Sequence, residues 1–146
     1  QGGAGGIAVA RVLPKREQPM AWSESGAAYP GQAPIDAYGN GGFRFAEMSH
    51  RGSILCLPDG VYAWDVTSAD QLDLTTLGRL LEALEPPAFV LLGTGPTQVF
   101  PTLDVRRAFL DAKVGLDPMD TGAACRTYNV LLAEQRPVVA ALLAVD

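Results

Sequence analysis

Two short stretches carry the side chains best suited to hold or transform a ligand. Gly93-Thr94-Gly95 follows an apolar run, AFVLLG at 88–93. Glycines at the end of a buried strand let backbone N–H groups approach an anion closely. Thr121, Cys125, Arg126 and Asn129 fall in the first turns of a helix that opens after Asp120. Cys125 and Asn129 stand four apart and share a helix face, and a thiol near a helix start beside an arginine has a lowered pKa. Where the loop faces the helix start, the two bound a cleft. Gly93, Thr94, Gly95, Thr121, Cys125, Arg126 and Asn129 are therefore the candidate ligand-binding set.

Each of these residues also has a plainer reading. The glycine loop contains neither G-x-G-x-x-G nor G-K-[ST], and Pro96 removes a donor, so a tight turn at the sheet edge is preferred. Asp120 or Thr121 serves as a helix cap, and a carboxylate already placed there repels a phosphate. A catalytic cysteine needs a base, yet the sole histidine, His50, is distant in sequence; a buried structural Cys125 is the better expectation. Arg126 has an alternative in covering apolar sheet surface with its stem. No G-x-S-x-G and no paired carboxylates stand out, so no catalytic residue is assigned and an enzyme is not favoured.

Composition narrows the partners. The chain has 11 basic and 16 acidic residues, a net charge of −5, and its basic residues are scattered. That disfavours nucleic acid, which selects a basic face, and a polybasic membrane anchor. No run approaches the length of a bilayer span, so no membrane insertion is expected. Cys56 and Cys125 form no C-x-x-C. No metal and no cofactor is assigned, and two reduced thiols are favoured over a disulfide, which fits a cytoplasmic location. No apolar h-region with a cleavage site marks a secreted chain.

The elements that must position the candidate residues follow from punctuation and periodicity. Residues 1–33 are rich in turn formers and are expected to be disordered, with Ile7 to Leu13 their one apolar stretch and Met20 a candidate start. Residues 34–146 read as a single α/β domain. Ile35 to Tyr38 and Phe43 to Phe45 flank Asn40-Gly41-Gly42, a strand, tight turn and strand, with a second bend at 47–52. SILCL (53–57) and VYAWDV (61–66) form a hairpin around Pro58-Asp59-Gly60. Both hairpins are expected in an extra β layer. Asp73 caps a helix with Leu74, Leu77, Leu80, Leu81 and Leu84 on one face, ended by Pro86-Pro87. AFVLLG is a strand buried on both faces. Helices follow over about 103–113, with Val105, Phe109 and Ala112 inward, and over about 121–134; VGLDPM between them is a brief strand. VVAALLAV closes the chain. Such alternation implies a largely parallel sheet with right-handed crossovers.

Three segments in order, GGFRFAEMSHRGSILCLP, LLGTG at 91–95 and MDTGAACRTYNVLLAEQRPVVAALL at 119–143, resemble a family of small α/β domains of unknown function. The family includes the mitochondrial assembly factor 3 of respiratory complex I and an adipogenesis-associated animal protein; GGFRFAEMSHRGSI resembles its bacterial branch. The resemblance implies three layers: a mixed central sheet, helices on both faces, and a β-hairpin layer beside the helices of one face. It also implies that the last strand is an antiparallel edge, which the short connection at 135–138 permits. No catalytic residues transfer from it. What it implies for function is a non-enzymatic accessory protein that binds protein partners, such as subunits of a membrane respiratory complex. The alternative is a small-molecule or anion binder, with enzyme activity open, using the cleft between the 93–96 loop and the helix from about 121.

Overall fold

The computed structural model describes residues 26–146. Its strands are β1 (Tyr29–Pro30), β2 (Ile35–Gly39), β3 (Gly42–Phe45), β4 (Met48–Arg51), β5 (Ser53–Leu57), β6 (Gly60–Trp64), β7 (Ala88–Gly93), β8 (Val114–Met119) and β9 (Val139–Leu142). Its helices are α1 (Leu74–Glu82), α2 (Leu103–Asp111) and α3 (Thr121–Ala133). Six strands form the central sheet in the order β1-β6-β5-β9-β7-β8, and β2-β3-β4 form a separate antiparallel sheet. The fold is the expected mixed α/β class in three layers.

Strand alternation divides the core in two. Successive side chains of a strand leave opposite faces of the sheet. Leu55, Leu57, Val90, Leu92, Val139 and Ala141 thus pack on one face with Leu77 and Leu80 of α1 and Val105 and Phe109 of α2. Ile54, Cys56, Leu91, Ala140 and Leu142 pack on the other with Ala124, Cys125 and Tyr128 of α3 and with Ile35, Phe43 and Phe45 of the small sheet. One chain handedness explains the helix placement. The path β7-α2-β8 steps outward and β8-α3-β9 steps back across β7, both joining parallel strands. Two crossovers of the same hand in opposite directions must lie on opposite faces.

That path corrects the placement of the last strand. β9 is not an edge: it lies inside the sheet, parallel to β7 and antiparallel to β5. The short connection misleads because the crossover is α3 itself, after which a few residues suffice to enter the strand. The antiparallel edge is β1, on β6. The hairpin β5–β6 also belongs to the central sheet rather than the added layer. SILCL is buried at every position, the signature of a strand covered on both faces.

Three local expectations also change. The bend at 47–52 contains the strand β4, bounded by a turn with positive φ at Ala46 (51°) and Glu47 (62°) and by Gly52 (φ 96°). Leu74 is exposed instead of lying inward. Order begins ahead of residue 34: Ala28 N–H donates to Val61 O at 2.7 Å, and the Gln32 side chain donates to Val138 O at 2.8 Å. Backbone pairing holds this segment, and apolar patterning does not report it. The rest of the expected disordered stretch, with Ile7 to Leu13 and Met20, lies outside the described residues. Two kinds of local signal match. Asn40 (φ 52°) and Gly41 (φ 78°) make the β2–β3 turn, and Asp73 and Asp120 cap α1 and α3 through Thr76 N at 3.0 Å and Ala123 N at 2.8 Å.

Candidate functional site

The loop after β7 and the start of α3 do meet, and they meet by direct bonding. Gly95 O accepts from Thr121 N at 2.8 Å, and Gly95 N donates to Thr121 Oγ1 at 3.0 Å. The same hydroxyl donates to Leu143 O at 2.8 Å, tying loop, helix and the end of β9 through one buried atom. Thr94 is also turned inward. Its N–H donates to Met119 O at 2.8 Å, and its hydroxyl lies 2.6 Å from Thr97 O while accepting from Val99 N at 3.0 Å. A Cβ on Gly93 would sit 3.1 Å from Thr121 Cα and 3.0 Å from Leu142 Cδ2. The glycine is there for close packing of helix on sheet. Thr94, Gly95 and Thr121, expected to face a ligand, hydrogen-bond to one another or to neighbouring backbone.

Cys125, Arg126 and Asn129 do not converge on that loop. Cys125 is buried in the core layer beneath α3, and burial pushes its thiol up to about 12, with Arg126 offsetting only part. The lowering expected from the helix start and the arginine is overridden, because desolvation penalises a thiolate more than one exposed charge assists it. Cys56 is likewise free, buried and pushed up to about 12 by desolvation. Tyr128, buried beside it, is raised by burial first and by the Cys56 thiol second.

Arg126 and Asn129 instead fasten the small sheet onto α3. Asn129 Oδ1 accepts from Ile35 N at 2.8 Å and Asn129 Nδ2 donates to Ile35 O at 2.8 Å. The side-chain amide thus mimics a neighbouring strand for the first residue of β2. Arg126 Nη1 donates to Tyr38 Oη at 3.2 Å. Tyr38 rests on Gly122, where an added Cβ would stand 2.5 Å from its hydroxyl oxygen. Sequence reading missed this contact. Its signal is a glycine inside a helix, a position where alanine is favoured unless something approaches closely.

A different concavity is present. About 450 Å³ of space lies along the small sheet near its β2–β3 turn, lined by Ala37, Gly39, Gly42, Arg44, Ser49 and Arg51 among others. Arg44 Nη1 donates to Ser49 Oγ at 2.9 Å across the β3–β4 pair. Among the described residues, no carboxylate lines it. His50 contributes to the same wall, and its Nε2 is buried without a hydrogen-bond partner among the described residues. Two arginines, a hydroxyl and a glycine floor suit an anion. The sequence shows these residues but gives no sign that strand pairing gathers them.

A three-layer α/β domain with a small antiparallel sheet clamped to one helix is the class that fold and site define. A family model described as "Protein of unknown function (DUF498/DUF598)" matches residues 35–143, and the chain belongs to that family. An uncharacterized protein of Rhodobacter capsulatus is 38% identical over 124 residues, covering 85% of this chain and 93% of its own. The Drosophila melanogaster protein named NADH dehydrogenase [ubiquinone] 1 alpha subcomplex assembly factor 3 is 33% identical over 113 residues, 75% of this chain; the match spans 57% of that protein's length. Among solved structures, a Bartonella henselae protein described as an outer membrane protein superposes with a TM-score of 0.68 at 48% identity, over 81% of this chain and 99% of its own. No helix among the described residues is long and apolar enough to cross a membrane.

Proposed function

We propose that this chain is a non-enzymatic accessory domain of the bacterial cytoplasm that binds other proteins, and that its clients are subunits of a membrane respiratory complex of the NADH dehydrogenase type. The observation that carries the reading is the similarity to assembly factor 3 across three quarters of the chain. The chemistry of the expected site agrees with it. The thiol nearest the helix start is held protonated by burial, and Thr94, Thr121 and Asn129 direct their polar atoms to backbone groups. Such residues maintain a rigid surface for a partner. Affinity purification of the tagged chain from its native cells tests the proposal. Enrichment of NADH dehydrogenase subunits supports it, and purification without them contradicts it.

A second reading, an anion-binding domain, draws support from the Arg44–Ser49–Arg51 concavity. It differs from the sequence-based alternative in location, since the 93–96 loop and α3 are bonded together. Thermal shift with phosphate, nucleotides and small carboxylates separates the two readings. Stabilisation lost in Arg44→Ala and Arg51→Ala favours the second.

A further inference from the structure

The small sheet packs Phe43 and Phe45 against α3, and its opposite face concentrates positive charge. Arg44 lies between those two buried residues on β3, so it takes the other face. The register pairs Arg44 with Ala37 and Ser49, and Gly42 with Gly39 and Arg51. Two rows of residues thus cross the sheet. Arg44 Nη1 donates to Ser49 Oγ at 2.9 Å, which draws this guanidinium toward β4. Arg51 reaches the other way. A Cβ on Gly41 would stand 3.8 Å from its Nη1, so this guanidinium lies beside the β2–β3 turn. The floor between them is bare by necessity. A Cβ on Gly42 would collide with His50 O, while Gly39 has a φ of 130° and open space around it. Among the described residues, neither arginine forms an ion pair with a carboxylate.

We propose that this concavity binds a phosphate monoester of a small organic molecule. The inference rests on the anion-binding reading given second above, and narrows it to one ligand class. Two cations with no carboxylate among the described lining residues are matched by a dianion. A phosphate monoester carries about −1.5 to −2 at neutral pH, more than a monocarboxylate. The direction of the donors also selects. One guanidinium fork satisfies the two coplanar oxygens of a carboxylate, whereas forks from two strands together with a hydroxyl suit a tetrahedral head with three oxygens. A space of about 450 Å³ exceeds an inorganic phosphate. It falls in the range of roughly 300–1,000 Å³ that encloses small organic ligands. The phosphate sits over Gly42 between the guanidiniums, and the organic part extends over Ala37 and Gly39.

NMR titration of the isotope-labelled full chain tests it, with ribose 5-phosphate, adenosine monophosphate, inorganic phosphate and succinate as probes. The two monoesters should bind with Kd below about 1 mM, roughly tenfold tighter than succinate and tighter than inorganic phosphate. They should move the amide signals of Gly39, Gly42 and Ser49 and leave those of α2 in place. Arg44→Lys and Arg51→Lys keep the charge but lose the fork, and each should weaken monoester binding roughly tenfold. Arg107→Ala, at an exposed position on α2, should bind as the wild type does. Succinate binding as tightly as the monoesters, with the same signals moving, overturns the phosphate assignment and leaves the anion-binding reading standing. If no probe moves these signals by about 10 mM, both fall. Monoester shifts centred on another part of the domain overturn the proposal without recourse to any variant, as do lysine variants that bind like the wild type.

Discussion

Asn129→Ala should loosen the small sheet from the domain. The side chain makes two 2.8 Å hydrogen bonds to the backbone of Ile35, a buried residue packed in the core layer beneath α3. Alanine removes both partners and leaves an N–H and a carbonyl unmatched where water has limited access. At about 1 kcal/mol net per bond, and more for a stranded buried group, the cost is roughly 2–3 kcal/mol. For a domain of this size that is a melting temperature lower by roughly 8–12 °C. Asn129→Asp sharpens the test. A carboxylate still accepts from Ile35 N but confronts Ile35 O with negative charge, so at neutral pH it should cost about as much as alanine. Protonation restores a donor and is favoured in the folded state, so that state takes up the proton at higher pH than the unfolded chain does. The deficit of the Asp variant should therefore shrink as pH falls. Urea denaturation followed by tryptophan fluorescence measures both effects. An alanine variant as stable as the wild type, or an Asp variant whose deficit ignores pH, would refute the clamp.

Thr121→Val, which keeps the shape but loses the bonds to Gly95 and Leu143, should cost roughly 2–4 kcal/mol by calorimetry, whereas Thr121→Ser should cost less than half as much. Gly122→Ala should be destabilising because its Cβ meets the Tyr38 hydroxyl; in a Tyr38→Ala background the same change should instead stabilise α3 by about 0.5–1 kcal/mol, as a double-mutant cycle would show. Cys56 and Cys125 have ordinary values of 9.0 when exposed and about 12 when folded. The unfolded chain therefore releases these protons first, so melting temperature measured against pH should lose this contribution only above about pH 9, falling progressively toward 12. Both thiols should resist a maleimide at pH 8 until the chain is unfolded.

Much of the architecture is legible from residue order. The helix caps Asp73 and Asp120, the Asn40-Gly41 turn and the buried AFVLLG strand are local signals, each decided by a few residues. Strand order is not local. Nothing in VVAALLAV distinguishes an edge from the middle of a sheet, although eight residues almost wholly apolar are better suited to the middle, where both faces are covered. The residues singled out as a candidate site carry hydrogen bonds and close packing within the fold. Gly93, Thr94, Gly95, Thr121 and Asn129 are polar or small because backbones approach closely there and need partners, a requirement that resembles ligand binding in composition. Whether such a group faces protein or open space depends on how loop and helix close on each other, which no spacing encodes. Arg44, Ser49 and Arg51 gather only through strand pairing.

The most direct test of the proposed role is the assembly state of the respiratory complex in cells that lack this chain. Membranes from a deletion strain, resolved by native electrophoresis and stained for NADH oxidation, should show the intact NADH dehydrogenase depleted and partial assemblies accumulated, with recovery on re-expression of the wild-type chain. A deletion strain with the complex at normal abundance, size and activity would contradict the account.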